Sequence, residues 1–540
     1  MAVHRGTVDG VPVFWTSGGE RLSAGLVFRV GRADETLVTS GITHLLEHLV
    51  LFPIERADLH VNGVTSPGAT TFRLDDADAD EVVAFFGAVC AGLRNPPVDR
   101  LEAEKAILRT EGSGREGPAG DLCLWRYGPA GFGLTSFPEY GLGAVTGEDV
   151  RAWAATHFTR GNAVLWINGG APPPELRLDL PEGQRTPYPK AVDVLPRLPA
   201  YFTAPVNAAV FDMVVPRSRA AMLYAAVLDR RLYAHLRREL GISYTAAARY
   251  QVRDAEHAVV TAVADALPDR RADMCRALVD IVIDLSREAP SEAELATART
   301  LVDRAASAAA SAEDLLAGAL ADVRPDEPEP DLLAVARQAL DGALAMLPEG
   351  CAIGRAGFVR APSGSPAAVP GDGRVLRNRP ESAARLIIGR EGVTVRNGLQ
   401  IATVRYADCR GMLAWPDGAR RLFGADAVTV SIEPTMWDVP AAELARIDTA
   451  IPAALTIAQP AREQSQIPQP PAVAKPPPAA EDEPPPKARG RRRFGRRKWI
   501  VGGISLVVLA LVLAGPLPKI PSLILFTIAL RAALTAVDRF

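Results

Sequence analysis

Cysteine is scarce in this chain and scattered. Cys90, Cys123, Cys275, Cys351 and Cys409 are five in number, an odd count, so they do not form a disulfide framework, and none has thiolate metal-site spacing. They read as reduced thiols of a cytosol-like compartment. The N-terminus, Met1 to Gly10, lacks the apolar core of a secretory signal, so the amino-terminal part of the protein is expected to remain inside the cell. Histidine is rare as well, seven in 540 residues, which makes any clustering of it informative.

Two of the seven stand in one short segment. His44, Glu47 and His48 in Thr43-His44-Leu45-Leu46-Glu47-His48-Leu49 spell H-x-x-E-H, the inverzincin order. On a helix, positions i and i+4 lie one above the other, so both imidazoles can reach one metal ion while Glu47 borders it. A zinc held by three protein ligands keeps one position open for water and lowers that water's pKa to about 7. Glu47 is placed to act as general base and then to return the proton to a leaving amine. The segment predicts a helix starting at Ser40 as N-cap and stopping before Pro53. Leu45, Leu46, Leu49, Val50 and Leu51 make it apolar on nearly every side, and so buried a helix carries titratable groups only if something binds them.

A third ligand is sought in Asp99 to Glu111, where Asp99 can cap a helix. Glu104 and Glu111 stand two turns apart on one face of it, and either could reach the metal.

At this point the chain resembles the M16, or insulinase-like, zinc peptidases, which include pitrilysin and the mitochondrial processing peptidases. Their H-x-x-E-H is followed by a distal glutamate in a run similar to Glu102-Ala103-Glu104-Lys105-Ala106-Ile107-Leu108-Arg109-Thr110-Glu111. The resemblance implies that Glu111 is the zinc ligand and that Glu104 supports a ligand histidine. Phe28 to Glu35 looks like the strand and turn before the metal helix. Asn62, ahead of Thr65 and Ser66, is similar to the family's edge strand, where substrate pairs as an added strand. Thr146 to Val150 and His157 to Asn162 match a later helix and strand entry. Arg231 to Tyr244 looks like the family's segment R-L-F-x-x-I-R-E-x-x-G-L-A-Y. It implies that Arg237 binds a substrate carbonyl or carboxylate and that Tyr244 hydrogen bonds the tetrahedral oxyanion. The interval from His48 to Glu111 is about a dozen residues shorter than the family's, and Phe52-Pro53-Ile54 replaces its usual turn.

The resemblance implies an α+β fold of two related halves, each an antiparallel sheet with helices on one face, enclosing a chamber for short or unfolded peptides. The metal-bearing half is placed at 1–175, a linker at 176–200 and a metal-free half at 201–361. The helix expected at Ala220 to Leu240 holds only His235, so no second zinc site is expected.

With 540 residues, 48% of them hydrophobic, further domains are expected. Residues 380–458 hold short strand-like runs, Leu386 to Ile388, Val393 to Val395, Ile401 to Val404 and Val428 to Val430, then a helix from Pro440 to Ile447 capped by Asp438. Strands followed by one helix are similar to a pleckstrin-homology-like barrel, with Trp415 and Trp437 in its core. A proline-rich spacer and a basic stretch fill 459–498. A transmembrane helix is expected at 499–517. A second apolar segment, 522–537, carries Arg531, and both a membrane hairpin and an interfacial helix are open for it.

Lys487, Arg489, Arg491, Arg492, Arg493, Arg496, Arg497 and Lys498 precede the apolar run with no acid among them. The positive-inside rule makes that flank cytoplasmic. The same run could bind nucleic acid, but its position favours phospholipid headgroups. The chain before Lys487 carries a net charge of about −13, which would repel DNA.

The sequence therefore predicts a zinc endopeptidase anchored at the cell membrane and facing the cytoplasm. Its partners are a peptide substrate and membrane lipid, with homo- or hetero-oligomers open and nucleic acid not expected. Two readings compete: a non-cleaving peptide-binding scaffold on the same fold, and a membrane adaptor working through residues 380–458.

Overall fold

The computed structural model describes residues 3–54, 60–112, 118–308, 331–361, 372–378, 384–398 and 400–470. Six strands of the first half, β1 (Val3–Val8), β2 (Val11–Ser17), β3 (Leu22–Phe28), β4 (His60–Thr65), β5 (Thr70–Ala77) and β6 (Ala163–Gly169), form one sheet. Its order is β1-β2-β6-β3-β5-β4, antiparallel except for the β2–β6 pair. Four helices, α1 (Ile42–Leu51), α2 (Ala79–Arg94), α3 (Leu101–Gly112) and α5 (Gly147–His157), send apolar side chains into the core on one face of it, whereas α4 (Pro118–Tyr127) goes elsewhere. Alternation decides the inward face: Ala24, Leu26 and Phe28 of β3 share that core with Phe72 and Leu74 of β5. Asp78 with Glu81 starts α2 as a reciprocal capping box, and Thr146 with Asp149 starts α5.

The second half repeats this plan. β7 (Ala200–Ala204), β8 (Ala208–Pro216), β9 (Ala246–Val252), β10 (His257–Asp265), β11 (Ala343–Pro348) and β12 (Val359–Arg360) lie in the order β12-β7-β11-β8-β10-β9. From β7 onward this is the order of β2-β6-β3-β5-β4, with the parallel pair in the same place. α6 (Arg219–Leu232), α7 (Arg271–Arg287), α8 (Glu292–Ala308) and α9 (Leu332–Asp341) cover one face. α6 takes the place of α1, but it ends sooner than the predicted Leu240. Tyr233–Glu239 continues as a π-helical stretch in which the Leu240 N–H reaches the His235 carbonyl.

The other face of the second sheet is roofed by the first half. Leu122 of α4 packs with Phe202, Val210, Leu344 and Met346, and Trp125 stacks on Phe202 at 4.9 Å. The linker between the halves has no helix or strand and is nailed down instead. Leu176, Leu178 and Leu180 enter the first core, and buried Arg29 donates to the carbonyls of Thr186 and Pro187.

The third region begins ahead of the expected residue 380. β13 (Arg374–Arg377), β14 (Arg385–Ile388), β15 (Gly392–Asn397) and β16 (Gln400–Arg405) make a meander. β17 (Cys409–Ala414), β18 (Arg420–Gly424), β19 (Thr429–Ile432) and, after α10 (Ala441–Ala450), β20 (Thr456–Ala458) make a second sheet ordered β19-β18-β17-β20. The N-cap of α10 is Pro440 rather than Asp438. Trp437 is buried in the core of this module, while Trp415 packs outside it, at the contact with the first half. Residues 459–470 are not a detached spacer. Arg462 pairs with Asp417 and Glu433, and the Gln459 N–H bonds to Ala414.

The basic run and the apolar segments 499–517 and 522–537 lie outside the described residues. Among the described residues no helix is long and apolar enough to cross a membrane.

Candidate metal centre

Helix α1 is started by a device the sequence hid. Gly41, not Ser40, is the N-cap of α1, with φ of 95°, a backbone state open to glycine. A Cβ there would also lie 2.7 Å from Leu142 Cγ. The carboxylate of Glu35 accepts from the N–H groups of Gly41 and Thr43 at 2.8 and 2.9 Å, satisfying donors every helix start leaves open. Burial pushes the Glu35 pKa up to about 7. Ser40 instead donates to the Leu37 carbonyl and accepts from the Gly141 N–H.

From this start α1 presents His44, Glu47 and His48 on one side, with ligand atoms all within 4.8 Å of one another. The two rings meet edge to face at 4.7 Å between centroids. α3 supplies the remote acid. Glu111 has one oxygen 3.9 Å from His44 Nε2 and the other 3.8 Å from His48 Nε2. Two donors each ~2 Å from one tetrahedral ion lie about 3.3 Å apart, so the set is slightly open for that ion. Two imidazoles and a carboxylate are donors that zinc accepts, and both Nε2 atoms face the same acid. The residues present fit the metal.

Carboxylates orient both rings from behind. His48 Nδ1 lies 3.4 Å from Glu104, whose other oxygen accepts from Arg100 at 3.2 Å. His44 Nδ1 lies 3.1 Å from Glu139, a residue sequence reasoning missed. An acceptor at Nδ1 keeps the proton there and leaves the Nε2 lone pair for a metal. Asp99 does not start α3 as a simple cap. It lies within a 3-10 turn, Val98–Arg100, that runs into Leu101–Gly112.

The edge strand β4 shapes the surroundings of Glu47. Thr65 Oγ1 donates to Glu47 Oε2 at 2.6 Å, and a Cβ at Gly63 would come 2.3 Å from Glu47 Oε1. Gly63 and Thr65 therefore face α1, while Asn62, between Val61 and Gly63, is exposed on the opposite face. β4 is at one end of the sheet order, with β5 on its inner side.

Arg237 and Tyr244 stand as a separate pair on the second half. Arg237 Nη1 donates to the Tyr244 carbonyl at 3.0 Å, its guanidinium lies 4.9 Å from the Tyr244 ring, and Tyr244 is 77% exposed. Asp265 accepts from the N–H groups of Tyr244 and Thr245 and fixes this turn. All five cysteines are free thiols.

No protein-family model matches the sequence, and no curated protein matches it. Solved structures do match. A protease from Helicobacter pylori superposes with a TM-score of 0.53 at 15% identity, covering 64% of this chain and 99% of that one. The inactive domain of a peptidase M16 from Pseudomonas fluorescens gives 0.52 at 13%, covering 64% and 98%. A chain of complex III2 from Candida albicans gives 0.51 at 15%, covering 64% and 95%. The chain therefore shares its fold with these structures, the peptidase M16 domain among them.

Proposed function

We propose that this protein is a zinc-dependent endopeptidase that hydrolyses short or unfolded peptides. The observation that carries the reading is the convergence of His44 Nε2 and His48 Nε2 on the two oxygens of Glu111, with Glu47 on the same helix beside them. His44, His48 and Glu111 would hold the ion. When bound, zinc supplies Lewis-acid polarisation to water and to the scissile carbonyl.

The chain's own residues do the rest. Glu47 accepts the proton of the attacking water and returns it to the leaving amine. Thr65, donating to Oε2, holds the carboxylate in one orientation for that transfer. Substrate adds as a strand to the outer edge of β4, past Asn62, so that backbone hydrogen bonds align the scissile bond with Glu47. Arg237 binds a substrate carbonyl or carboxylate, and Tyr244 donates to the developing oxyanion. The two halves form a chamber that admits unfolded segments.

The module expected at 380–458 as a pleckstrin-homology-like barrel would serve in scaffolding, although one strand, β20, follows its helix and pairs with β17. The C-terminal apolar segments with their basic flank would tether the enzyme to the membrane through anionic lipid, on the cytoplasmic side.

Metal analysis and a fluorogenic peptide assay on the full chain test the reading. The expected outcome is about one zinc per chain, with cleavage lost in Glu47→Gln and the metal kept. Equal cleavage by wild type and Glu47→Gln would falsify the catalytic assignment, and zinc binding without cleavage would favour the peptide-binding scaffold.

A further inference from the structure

The second sheet of the β-module is apolar on both faces. Met412 of β17 and Leu422 of β18 point into the module's own core, while their neighbours Leu413 and Phe423 point outward and are buried all the same. What covers them is the first half. Leu413, Phe423 and Ile457 form one buried cluster with Leu37, Leu134 and Phe137.

The covered residues are the ones that flank the metal site. Phe423 meets Phe137 edge to face at 5.4 Å and Tyr140 at 5.7 Å. Between these two in sequence stands Glu139, the carboxylate against His44 Nδ1. Leu37 lies in the turn that leads into α1, and a Cβ at Gly411 of β17 would come 2.9 Å from its Cδ1. Ser40 links the two gripped segments by donating to the Leu37 carbonyl and accepting from the Gly141 N–H. Arg32 adds a hydrogen bond to the Phe137 carbonyl.

We infer that the β-module is a positioning element of the metal centre: Phe423 fixes Phe137 and Tyr140, and Glu139 between them fixes the ring of His44. The physical requirement is ordinary. Glu139 lies on a short turn outside the sheet, and a turn holds a carboxylate in one place only if its neighbours are packed. The module supplies that packing from more than 270 positions later in the chain. Glu139 and Phe423 are positioning residues, since Glu139 acts through the ring of His44 and Phe423 through Phe137 and Tyr140. The inference rests on the metal reading of His44, His48 and Glu111.

Cobalt(II) titration of the zinc-free full chain tests it, reading affinity and the visible d–d band of the ion. Glu139→Ala should weaken cobalt binding about 10- to 100-fold, the range for loss of a group behind a ligand histidine. Glu139→Gln, which still offers an acceptor to Nδ1–H, should fall between it and wild type. Phe423→Ala should weaken binding and move the band in the same direction as Glu139→Ala, and the double variant should bind no worse than Glu139→Ala alone, because both act on one ring. Phe423→Leu gives the same direction at smaller cost in folding, and Val430→Ala, inside the module core, should leave the band unmoved. A wild-type band and affinity in folded Phe423→Leu and Phe423→Ala, or additive losses in the double variant, would overturn the inference while the metal reading stands. Failure of the wild type itself to bind cobalt would overturn both.

Discussion

The hydroxyl of Thr65 donates to Oε2 of Glu47 at 2.6 Å, a bond that runs from the edge strand β4 to helix α1. A hydrogen bond to a charged acceptor contributes ~1.5–3 kcal/mol. If Glu47 is the base, Thr65→Val should lower kcat about 10- to 100-fold and leave metal content unchanged, measured by steady-state kinetics beside metal analysis. Thr65→Ser, which keeps the donor, should stay near wild type.

Gly63 gives a second handle on the same carboxylate. In Gly63→Ala the new methyl group would stand 2.3 Å from Glu47 Oε1 and 2.6 Å from Leu51 Cδ1, so the glutamate must move. A displacement of about 1 Å at a reacting group costs roughly 100-fold in rate. The expected result is a fall in kcat larger than any rise in KM, with one metal still bound.

Glu35 makes stability depend on pH. Burial raises its carboxyl from 4.5 to about 7 in the folded state, so folding favours the protonated form. Its contribution is fully present below pH 4.5 and is lost as pH rises through about 7, by on the order of 3 kcal/mol at ~1.4 kcal/mol per pH unit. The midpoint of thermal unfolding should therefore fall between pH 5 and pH 8. Glu35→Gln, whose one amide oxygen keeps an acceptor for one of the Gly41 and Thr43 N–H groups, should flatten that slope, and an unchanged slope would refute the assignment.

The buried guanidinium of Arg126 ties α4 to the second sheet, donating to the carbonyls of Asp212 and Gly342 and lying 3.3 Å from the Asp212 carboxylate. Removing one partner of a buried pair costs ~3–5 kcal/mol, because the remaining charge has no compensation. Arg126→Ala should lower the urea midpoint accordingly with the slope unchanged. Arg126→Met combined with Asp212→Leu should recover most of the loss.

What could be read from the chain was local. His44 and His48 are visible because one helical turn joins them, and Glu104 with Glu111 because two turns do. The strand runs from 386 to 430 fell close to their observed positions because alternation and glycine breaks are short-range signals. Glu35 and Glu139 were invisible for opposite reasons. Glu35 sits in a turn whose helix was expected to begin on Ser40, and only the positive φ at Gly41 moves the start to where a distant carboxylate can cap it. Glu139 meets His44 across 95 positions, with no periodicity to announce the pairing. The role of Phe423 was equally hidden, because an apolar residue beside Leu422 in a strand looks like a sheet buried on both sides, and the sequence does not say by what.

The roof that α4 lays over the second sheet bears on how the polypeptide is made. Residues 201–361 emerging alone would leave Phe202, Val210, Leu344 and Met346 uncovered, together with an ionisable Asp212 facing solvent instead of a guanidinium. The amino-terminal half leaves the ribosome first with Leu122 and Arg126 already in hand, so it can act as a cis-acting chaperone for the later half. Swapping the order of the halves would forfeit that protection and expose a naked sheet during synthesis.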